Sequence, residues 1–599
     1  MPSSSPSVTD AAADVRRLDR RNLILCAVLP LAALAVAWPV AEVGIHDDAA
    51  YIHMAKTLAA TGRFAYNGWA AMTLGLQVWW AAAWIKLVGF SFTATRLSLL
   101  PLVLAVPPLI YLTARRAGLS TDDSLFAALL TAAQEEFFDH APIFMTDVSS
   151  LCLLLASLLA FARAVETADG GRTFLRVLGW LLLGMACGAL GGTIRQSVWF
   201  ALIAGPAVLL LRPGADGSAR LAGGGCMGVG AACLVLGIRW FNAQPYTLPS
   251  ASALGVTEMR QLLGGVPKLL SAALVGCILP CMTAVAFCLP ALNIRTRPRG
   301  AVSAAALVSA VTCLWLQRRP LWRAGVAIAD GNLLDAVAAG SDAATGILGY
   351  LRLLALLLLI LLVAQDALRP RATLPSALRT LPPTILVGLA YAALYCMALG
   401  PASLTTGAVF PRYFWIMVPL LTSCILYWSQ HRRGPHAMRQ PRAAWAWACV
   451  ACTGVYAVMV SHDLFASTKL RAEAIRHLET RGVPRDRISA GWEIDHWEQI
   501  DRAGHLNERR IRTPAGAWHP LPADGYPLVD GRERTDLITP EYIIDGEPPH
   551  YPGDDSGFPT FSRPAWLPRN RGRITITIQH QRPSSPTGRH ADGTTGIKP

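Results

Sequence analysis

The sequence predicts an all-α polytopic membrane bundle of about 13 transmembrane helices, followed by a small extracytoplasmic α+β domain. Three observations support this prediction. Hydrophobic residues make up 53% of the 599 residues, charged residues make up 15%, and the mean hydropathy is +0.38. Apolar runs long enough for the roughly 20 residues of a spanning helix recur from residue 22 to about residue 460. The apolar character then stops near His462, and the remaining residues have the composition of a soluble domain.

The predicted spans begin with Asn22–Val43. Three apolar stretches follow at 73–90, 97–114 and 124–133. The last has only about half the spanning length, so we count two crossings in this region. The other predicted spans cover 143–162, 176–190, 197–211, 221–240, 271–291, 301–317, 346–364, 382–399, 411–428 and 443–460.

The placement of Lys and Arg predicts the orientation, because cytoplasmic loops retain positive charge. Four arginines precede the first span, so we expect a cytoplasmic N-terminus and an outer position for Asp47. Later basic clusters fall on alternate loops, which places the C-terminal domain outside as well. The first apolar stretch is longer than the core of a signal peptide, and we interpret it as an uncleaved anchor. The expected location is a bacterial-type cytoplasmic (inner) membrane.

The predicted organisation has four parts: a cytoplasmic segment at 1–21, a transmembrane domain at 22–461 with an outer loop at 44–72, a soluble extracytoplasmic domain at 462–580, and a disordered tail at 581–599. Ser, Pro, Thr and Gly dominate that tail, a composition typical of disorder. The net charge of +14 lies largely in the predicted cytoplasmic loops, where topology and anionic lipid explain it. We therefore expect no nucleic-acid partner.

The first outer loop is the most informative stretch, because Asp47 and Asp48 follow the first apolar span at the membrane boundary. A carboxylate there is unfavourable unless it faces water, a partner or a substrate. The alternative is that the pair caps a solvated helix. Apolar residues at helical spacing predict a short helix at 49–60 along the membrane surface, with Lys56 on its polar side and Gly62 as its C-terminal cap.

Further candidates are predicted on the same outer side. Asp147 begins an apolar helix, where capping is again the alternative. Arg195 and Gln196 interrupt an apolar hairpin at its outer turn, and Arg412 with Tyr413 begins a late outer helix. An outer arginine departs from the positive-inside trend, and its planar fork suits phosphate oxygens. Snorkelling to lipid headgroups is the other explanation.

In these residues the chain resembles the GT-C superfamily of polytopic glycosyltransferases, in the family 39-like branch of protein O-mannosyltransferases and aminoarabinose-lipid A transferases. The stretch DDAAYIHMAKTLAATGRF is similar to that family's first outer loop in its acids, tyrosine, helix and glycine turn. The later elements that follow the family's order are WIKLVGFSFTATRLSLLPLVLAVPPLIYLTARRAG, Thr193–Gln196 and Pro411–Tyr413. The similarity covers residues 20 to 430, and the family's Lys-Pro-Pro element is absent from it.

The resemblance implies an inverting enzyme that moves a hexose or pentose from a polyprenyl-phosphate-linked donor to a lipid, glycan or protein acceptor on the outer side. Asp47 is then the general base, since base catalysis requires a carboxylate within reach of the acceptor hydroxyl. Asp48 and Asp147 are further catalytic candidates, or alternatively ligands of a divalent metal, the one cofactor considered. Arg195 and Arg412 bind the lipid phosphate. The remaining substrate-binding candidates are Lys56, Gln196 and Tyr413.

Two other classes of protein remain as alternatives. A polytopic transporter usually carries its charges on broken helices near the middle of the membrane. A non-catalytic envelope assembly protein keeps basic residues but tolerates loss of Asp47. The sequence does not specify the sugar or the acceptor.

Overall fold

The structure, a computed structural model, describes residues 8–248, 277, 280–281, 283–284, 380–406, 412–432, 444–521, 532–546, 557–567 and 572–581. Within these residues the chain is mainly helical and includes one small sheet. The helices are α1 Val8–Ala37, α2 Asp48–Thr61, α3 Gly75–Val88, α4 Phe92–Leu97, α5 Leu100–Arg116, α6 Thr121–Ala132, α7 Glu135–His140, α8 Thr146–Asp169, α9 Phe174–Ile194, α10 Ala201–Leu211, α11 Gly217–Ala243, α12 Pro383–Thr406, α13 Arg412–Trp415, α14 Val418–Arg432, α15 Ala444–Glu479 and α16 Trp492–Ala503. The strands are β1 Ile488–Ser489, β2 Tyr542–Gly546, β3 Phe561–Pro564 and β4 Arg573–His580.

Six helical segments in the described part of the chain are long and apolar enough to cross a membrane. They are Ala13–Ala37, Phe92–Arg116, Thr146–Asp169, Phe174–Ile194, Gly217–Ala243 and Ala446–Glu479. Two shorter apolar helices, Gln196–Leu211 and Pro383–Ala398, accompany them. The protein is therefore a multi-pass membrane protein, as the composition predicted.

The predicted spans can be compared with these helices only where the chain is described. The stretches at 143–162, 176–190 and 221–240 correspond to α8, α9 and α11. The stretch at 124–133 corresponds to α6, which has 12 residues and rises about 18 Å, too little to span a bilayer. The predicted spans at 301–317 and 346–364, and most of the one at 271–291, lie outside the described residues. The total of thirteen stays a prediction.

Small residues let the helices after the first outer loop pack closely. A Cβ atom on Gly184 of α9 would lie 2.7 Å from the ring of Phe161 in α8. Ser157 of α8 donates a hydrogen bond to the carbonyl oxygen of Gly184 at 2.8 Å. Membrane helices commonly associate through small residues and interhelical hydrogen bonds of this kind. The close α8–α9 hairpin fixes the position of Asp147 at its start and Arg195 at its end.

Helix α2 occupies the place that the sequence predicted, and Gly62 ends it with a φ of +72°, as expected for a glycine cap. The predicted position along the membrane surface did not include the protein contacts that surround this helix. The helix packs against α3 and against α16 of the C-terminal domain, and Ala49, Tyr51 and Met54 are buried in addition to the predicted apolar face. It is therefore covered by protein on two sides, and protein contacts bury more of it than the sequence pattern required.

The C-terminal residues form a four-stranded sheet in the order β1-β2-β4-β3. Strands β1 and β2 are parallel, and β4 is antiparallel to both β2 and β3. Two side chains of β4, Ile576 and Ile578, are buried against α15. Helix α15 runs without a break through residues 461 and 462, where the sequence predicted a domain boundary, so the sheet is attached to the membrane region by one continuous helix.

Candidate active site

Asp47 lies at the N-terminus of α2 but does not cap it, since its side chain accepts no hydrogen bond from the helix backbone. Its Oδ1 instead accepts a hydrogen bond from the indole Nε1 of Trp69 at 3.0 Å. Its Oδ2 lies 3.6 Å from Nη2 of Arg412, and 17% of its side chain remains exposed. The capping interpretation of Asp47 therefore has no hydrogen bond to support it, and its functional role stays a prediction.

A second acid–arginine pair lies at the α8–α9 hairpin. Oδ1 of Asp147, in the first turn of α8, is 2.5 Å from Nη1 of Arg195, which directly follows α9. The same nitrogen lies 3.3 Å from the hydroxyl of Thr146. Both charged side chains are buried. A buried ion pair of this kind requires close contact to offset the loss of hydration, and this pair has it.

Tyr413 connects the two pairs. Its ring centre lies 5.3 Å from the guanidinium carbon of Arg195 and 5.9 Å from that of Arg412. Arginine stacks favourably on aromatic faces, so the ring contacts both guanidinium groups. The structure thus brings Asp47, Asp147, both arginines and Tyr413 into one cluster, which we call the acid–arginine cluster.

Tyr51 of α2 lies within the field of this cluster. Burial raises the pKa of its hydroxyl well above the ordinary value, and the charge of Asp47 raises it further, whereas Arg412 opposes the shift. Asp147 and Arg195 contribute smaller effects of opposite sign. Tyr51 therefore stays neutral and presents a buried hydroxyl beside both acid–arginine pairs.

Asp48 belongs to a different network. Its side chain has no exposed surface, and its Oδ2 accepts a hydrogen bond from Nε of Arg96 at 2.7 Å. Its Oδ1 accepts one from the backbone nitrogen of Ile45 at 2.7 Å, while Arg96 also donates to the carbonyl oxygens of Ala41 and Val43, each at 2.6 Å. Asp48 and Arg96 thus bind the chain entering α2 to α4, which indicates a positioning role, while the catalytic and metal-binding roles of Asp48 stay predictions.

Two predicted substrate-binding residues lie outside the acid–arginine cluster. Nζ of Lys56 is 3.0 Å from Oδ1 of Asp501 and 4.9 Å from the ring centre of Trp497, so it connects α2 to α16. The side chain of Gln196 is exposed at its amide and donates a hydrogen bond to the carbonyl oxygen of Ala71 at 3.0 Å. Each fixes one segment to another, and neither contacts Asp47 or Arg412 among the described contacts.

Trp69 is a contact of Asp47 that the sequence did not single out. Its indole ring packs against Trp492 at 5.4 Å and His496 at 4.8 Å, both on α16, and Arg534 lies 5.3 Å above it. Burial and the charge of Arg534 lower the pKa of His496 to about 3, so this side chain is neutral. The C-terminal domain therefore holds the residue that donates to Asp47.

His46 and Asp139 form another unpredicted contact beside the cluster. His46 adopts a φ of +51°, rare for a residue with a side chain, and its Nε2 lies 3.6 Å from Oδ1 of Asp139. Burial favours the neutral imidazole, but Asp139, with help from Glu493 and Asp47, raises the pKa of His46 to about 9. Burial raises the pKa of Asp139, but the hydrogen bond and the charge of His46 outweigh this effect and hold the pKa below its ordinary value. Both groups are charged at neutral pH.

Replacing His46 with Gln is expected to remove a pH-dependent part of the stability, worth about 1 kcal/mol for a partly exposed pair. A histidine whose pKa rises on folding from 6.5 to about 9 stabilises the folded chain fully below pH 6.5 and loses this effect as the pH rises through 9. The wild-type melting temperature should therefore fall more between about pH 7 and about pH 10 than that of His46→Gln. The exposed His431, replaced by Gln, is the control, and equal pH slopes in all three proteins would contradict the assignment.

The described residues contain no group of three or more His, Cys, Asp or Glu side chains arranged to bind a metal ion. Asp48 is directed to Arg96 and Asp147 to Arg195, so in this arrangement each predicted metal ligand is paired with an arginine. The metal remains a prediction from the sequence resemblance alone.

Solved structures similar to this chain are membrane proteins. The oligosaccharyltransferase of Archaeoglobus fulgidus in its apo form aligns with a TM-score of 0.42 and 12% identity, over 87% of this chain and 64% of that chain. ArnT from Cupriavidus metallidurans bound to undecaprenyl phosphate aligns with a TM-score of 0.38 and 12% identity, over 92% and 97%. These are GT-C membrane glycosyltransferases. No family model and no curated protein matches the chain.

The superfamily of these structures is the one that the sequence resembles. TM-scores of 0.36 to 0.42 and identities of 12% to 13% describe a distant likeness, which carries no argument about substrate or mechanism. The chemistry of the site therefore rests on its own residues. They provide a partly exposed carboxylate, a partly exposed arginine beside it, and a second, buried pair that holds the surrounding helix ends in place.

Proposed function

We propose that the protein is a membrane glycosyltransferase that moves a sugar from a polyprenyl-phosphate-linked donor to an acceptor hydroxyl, with Asp47 as general base. The observation that supports this proposal most is the contact between Asp47 and Arg412, both of which keep exposed surface. A carboxylate able to take a proton and a guanidinium able to bind phosphate thus lie side by side at the end of an apolar helix bundle.

The reaction follows from this pairing. The carboxylate of Asp47 takes the proton of the acceptor hydroxyl as its oxygen attacks the anomeric carbon of the donor. The bond between that carbon and the phosphate oxygen breaks, and the polyprenyl phosphate leaves with the electron pair. Attack opposite to the leaving phosphate inverts the anomeric centre. Arg412 stabilises the charge that develops on the phosphate, the usual electrostatic contribution to such a transfer.

The two arginines are suited to different roles. Arg412 lies 3.6 Å from Asp47, and 28% of its side chain is exposed, so it can turn from the carboxylate to a phosphate. Arg195 is buried against Asp147 at 2.5 Å. We therefore assign the phosphate contact to Arg412, and we assign to Arg195 and Asp147 the positioning of Tyr413 and the α8–α9 hairpin. The hexose or pentose specificity and the inner-membrane orientation with an outer C-terminal domain belong to the same proposal.

Donor turnover tests this proposal directly. Membranes containing the protein are incubated with a panel of radiolabelled polyprenyl-phosphate hexoses and pentoses, and free polyprenyl phosphate is measured by thin-layer chromatography. We expect consumption of at least one donor together with transfer of label to a membrane component. Membranes without the protein are the control. Accumulation of a labelled solute in sealed vesicles, with every donor left intact, would instead support the transporter alternative.

A further inference from the structure

A cavity of about 260 Å³ lies where the end of α1, helix α15 and strand β3 meet. It shares no residue with the acid–arginine cluster. Two aromatic side chains, Trp38 and Trp566, line it together with Lys469, Arg563 and His462. We call it the boundary cavity.

The boundary cavity lies where two apolar helical segments give way to more polar residues. Trp38 directly follows the apolar segment that ends at Ala37, adopts a φ of +50° and is 65% exposed. Trp566 is 39% exposed and stacks on His462, with ring centres 3.8 Å apart, at the point where α15 changes from apolar to charged residues. Tryptophan is enriched at membrane–water interfaces, so this pair favours a position of the cavity near lipid headgroups.

One cation at the boundary cavity has no direct ion pair among the residues that the structure describes. Arg563 forms an ion pair with Glu473. Asp463 accepts hydrogen bonds from the backbone nitrogens of Trp566 and Leu567 at 2.9 and 3.0 Å. Lys469 forms no hydrogen bond or ion pair with any residue in the described ranges. Both nearby carboxylates are therefore engaged, and a half-buried ammonium group lines a cavity that is large enough for a phosphate group.

We propose that the boundary cavity binds the phosphate of an anionic lipid headgroup, with Lys469 and Arg563 as its charged contacts. Trp38 and Trp566 pack beside the headgroup, and the lipid attaches strand β3 of the C-terminal domain to the membrane surface. Basic residues close to a membrane surface each contribute about 1 kcal/mol to the binding of anionic lipid. This inference does not depend on the proposed glycosyl transfer.

Native mass spectrometry of the purified full chain tests the proposal, with micelles that contain phosphatidylglycerol or phosphatidylcholine. We expect the wild type to retain phosphatidylglycerol in preference to phosphatidylcholine. Lys469→Gln should retain phosphatidylglycerol about fivefold less well, which corresponds to the loss of one cation. Lys469→Arg, which keeps the charge, should behave as the wild type. Lys86→Gln, at the exposed end of α3, is the matched control.

Two results would overturn the proposal. One is equal retention of the two lipids by the wild type, a measurement that needs no variant to fold. The other is displacement of phosphatidylglycerol by millimolar inorganic phosphate, which would assign the cavity to free phosphate. Retention of phosphatidylglycerol in the presence of inorganic phosphate, together with its loss in Lys469→Gln, supports a lipid ligand.

Discussion

Asp47→Asn is expected to lower the turnover of the lipid-linked donor about a thousandfold while the protein stays folded. Asparagine keeps the size of the side chain and an oxygen that accepts the hydrogen bond from Trp69, but it cannot take up the acceptor proton at neutral pH. Arg412 loses its contact with this carboxylate but keeps the positive charge that attracts the donor phosphate. The loss should therefore appear in kcat, with KM for the donor unchanged or lower.

Single-turnover measurements with a saturating donor isolate this effect, and the melting temperature reports on folding. Asp501→Asn is a matched control, because it removes an exposed carboxylate from α16 that pairs with Lys56. Undiminished turnover in a well-folded Asp47→Asn protein would reject Asp47 as the base. That result would not affect the lipid-binding proposal for the boundary cavity, because that proposal concerns a different ligand and is tested by a different measurement.

Asp48→Asn, one residue further on, is expected to destabilise the fold by about 3–5 kcal/mol. The substitution leaves the guanidinium of Arg96 buried without its carboxylate, and it weakens the hydrogen bond from Ile45. Removing one member of a buried pair has a large effect because the remaining charge stays out of water. The chain between α1 and α2 should loosen first, since Arg96 holds the carbonyl oxygens of Ala41 and Val43.

Thermal unfolding in detergent, with size-exclusion monodispersity, measures this prediction. Activity per folded molecule should fall much less than in Asp47→Asn, because the side chain of Asp48 is bonded to Ile45, Arg96 and Phe144 and to no side chain of the acid–arginine cluster. A normal melting temperature combined with lost turnover would contradict the positioning role and indicate that Asp48 acts in catalysis. The same change from Asp to Asn is thus expected to remove turnover at position 47 and to lower stability at position 48.

Much of the candidate site was predictable from the order of spans and charges. The position of α2 and its glycine cap follow from local periodicity and from the conformational freedom of Gly62. The sequence also predicted Asp47, Asp147, Arg195 and Arg412 on one side of the membrane, and the structure brings these four together. Local patterns and the alternation of loops determine features of this kind.

Long-range contacts were not predictable in the same way. Nothing in the local sequence distinguishes Asp47 from Asp48, because their difference arises from Arg96, 48 residues away. No local pattern distinguishes Trp69 from other aromatic residues in loops, because its environment is formed by α16, which is distant in sequence. A composition change at residue 462 suggested a domain boundary, but the helix continues through it, and α15 ends only at Glu479. Burial and partner choice depend on tertiary packing, which one sequence does not encode locally.

The unbroken α15 has a mechanical consequence. Its 36 residues make a rod about 54 Å long, with membrane-embedded residues at one end and the sheet at the other. Because no break interrupts this helix, a tilt of its apolar end would be accompanied by a displacement of the sheet. Helix α16 follows the first strand of that sheet and carries the aromatic residues that contact Trp69, so the same domain supports the residue that donates to Asp47.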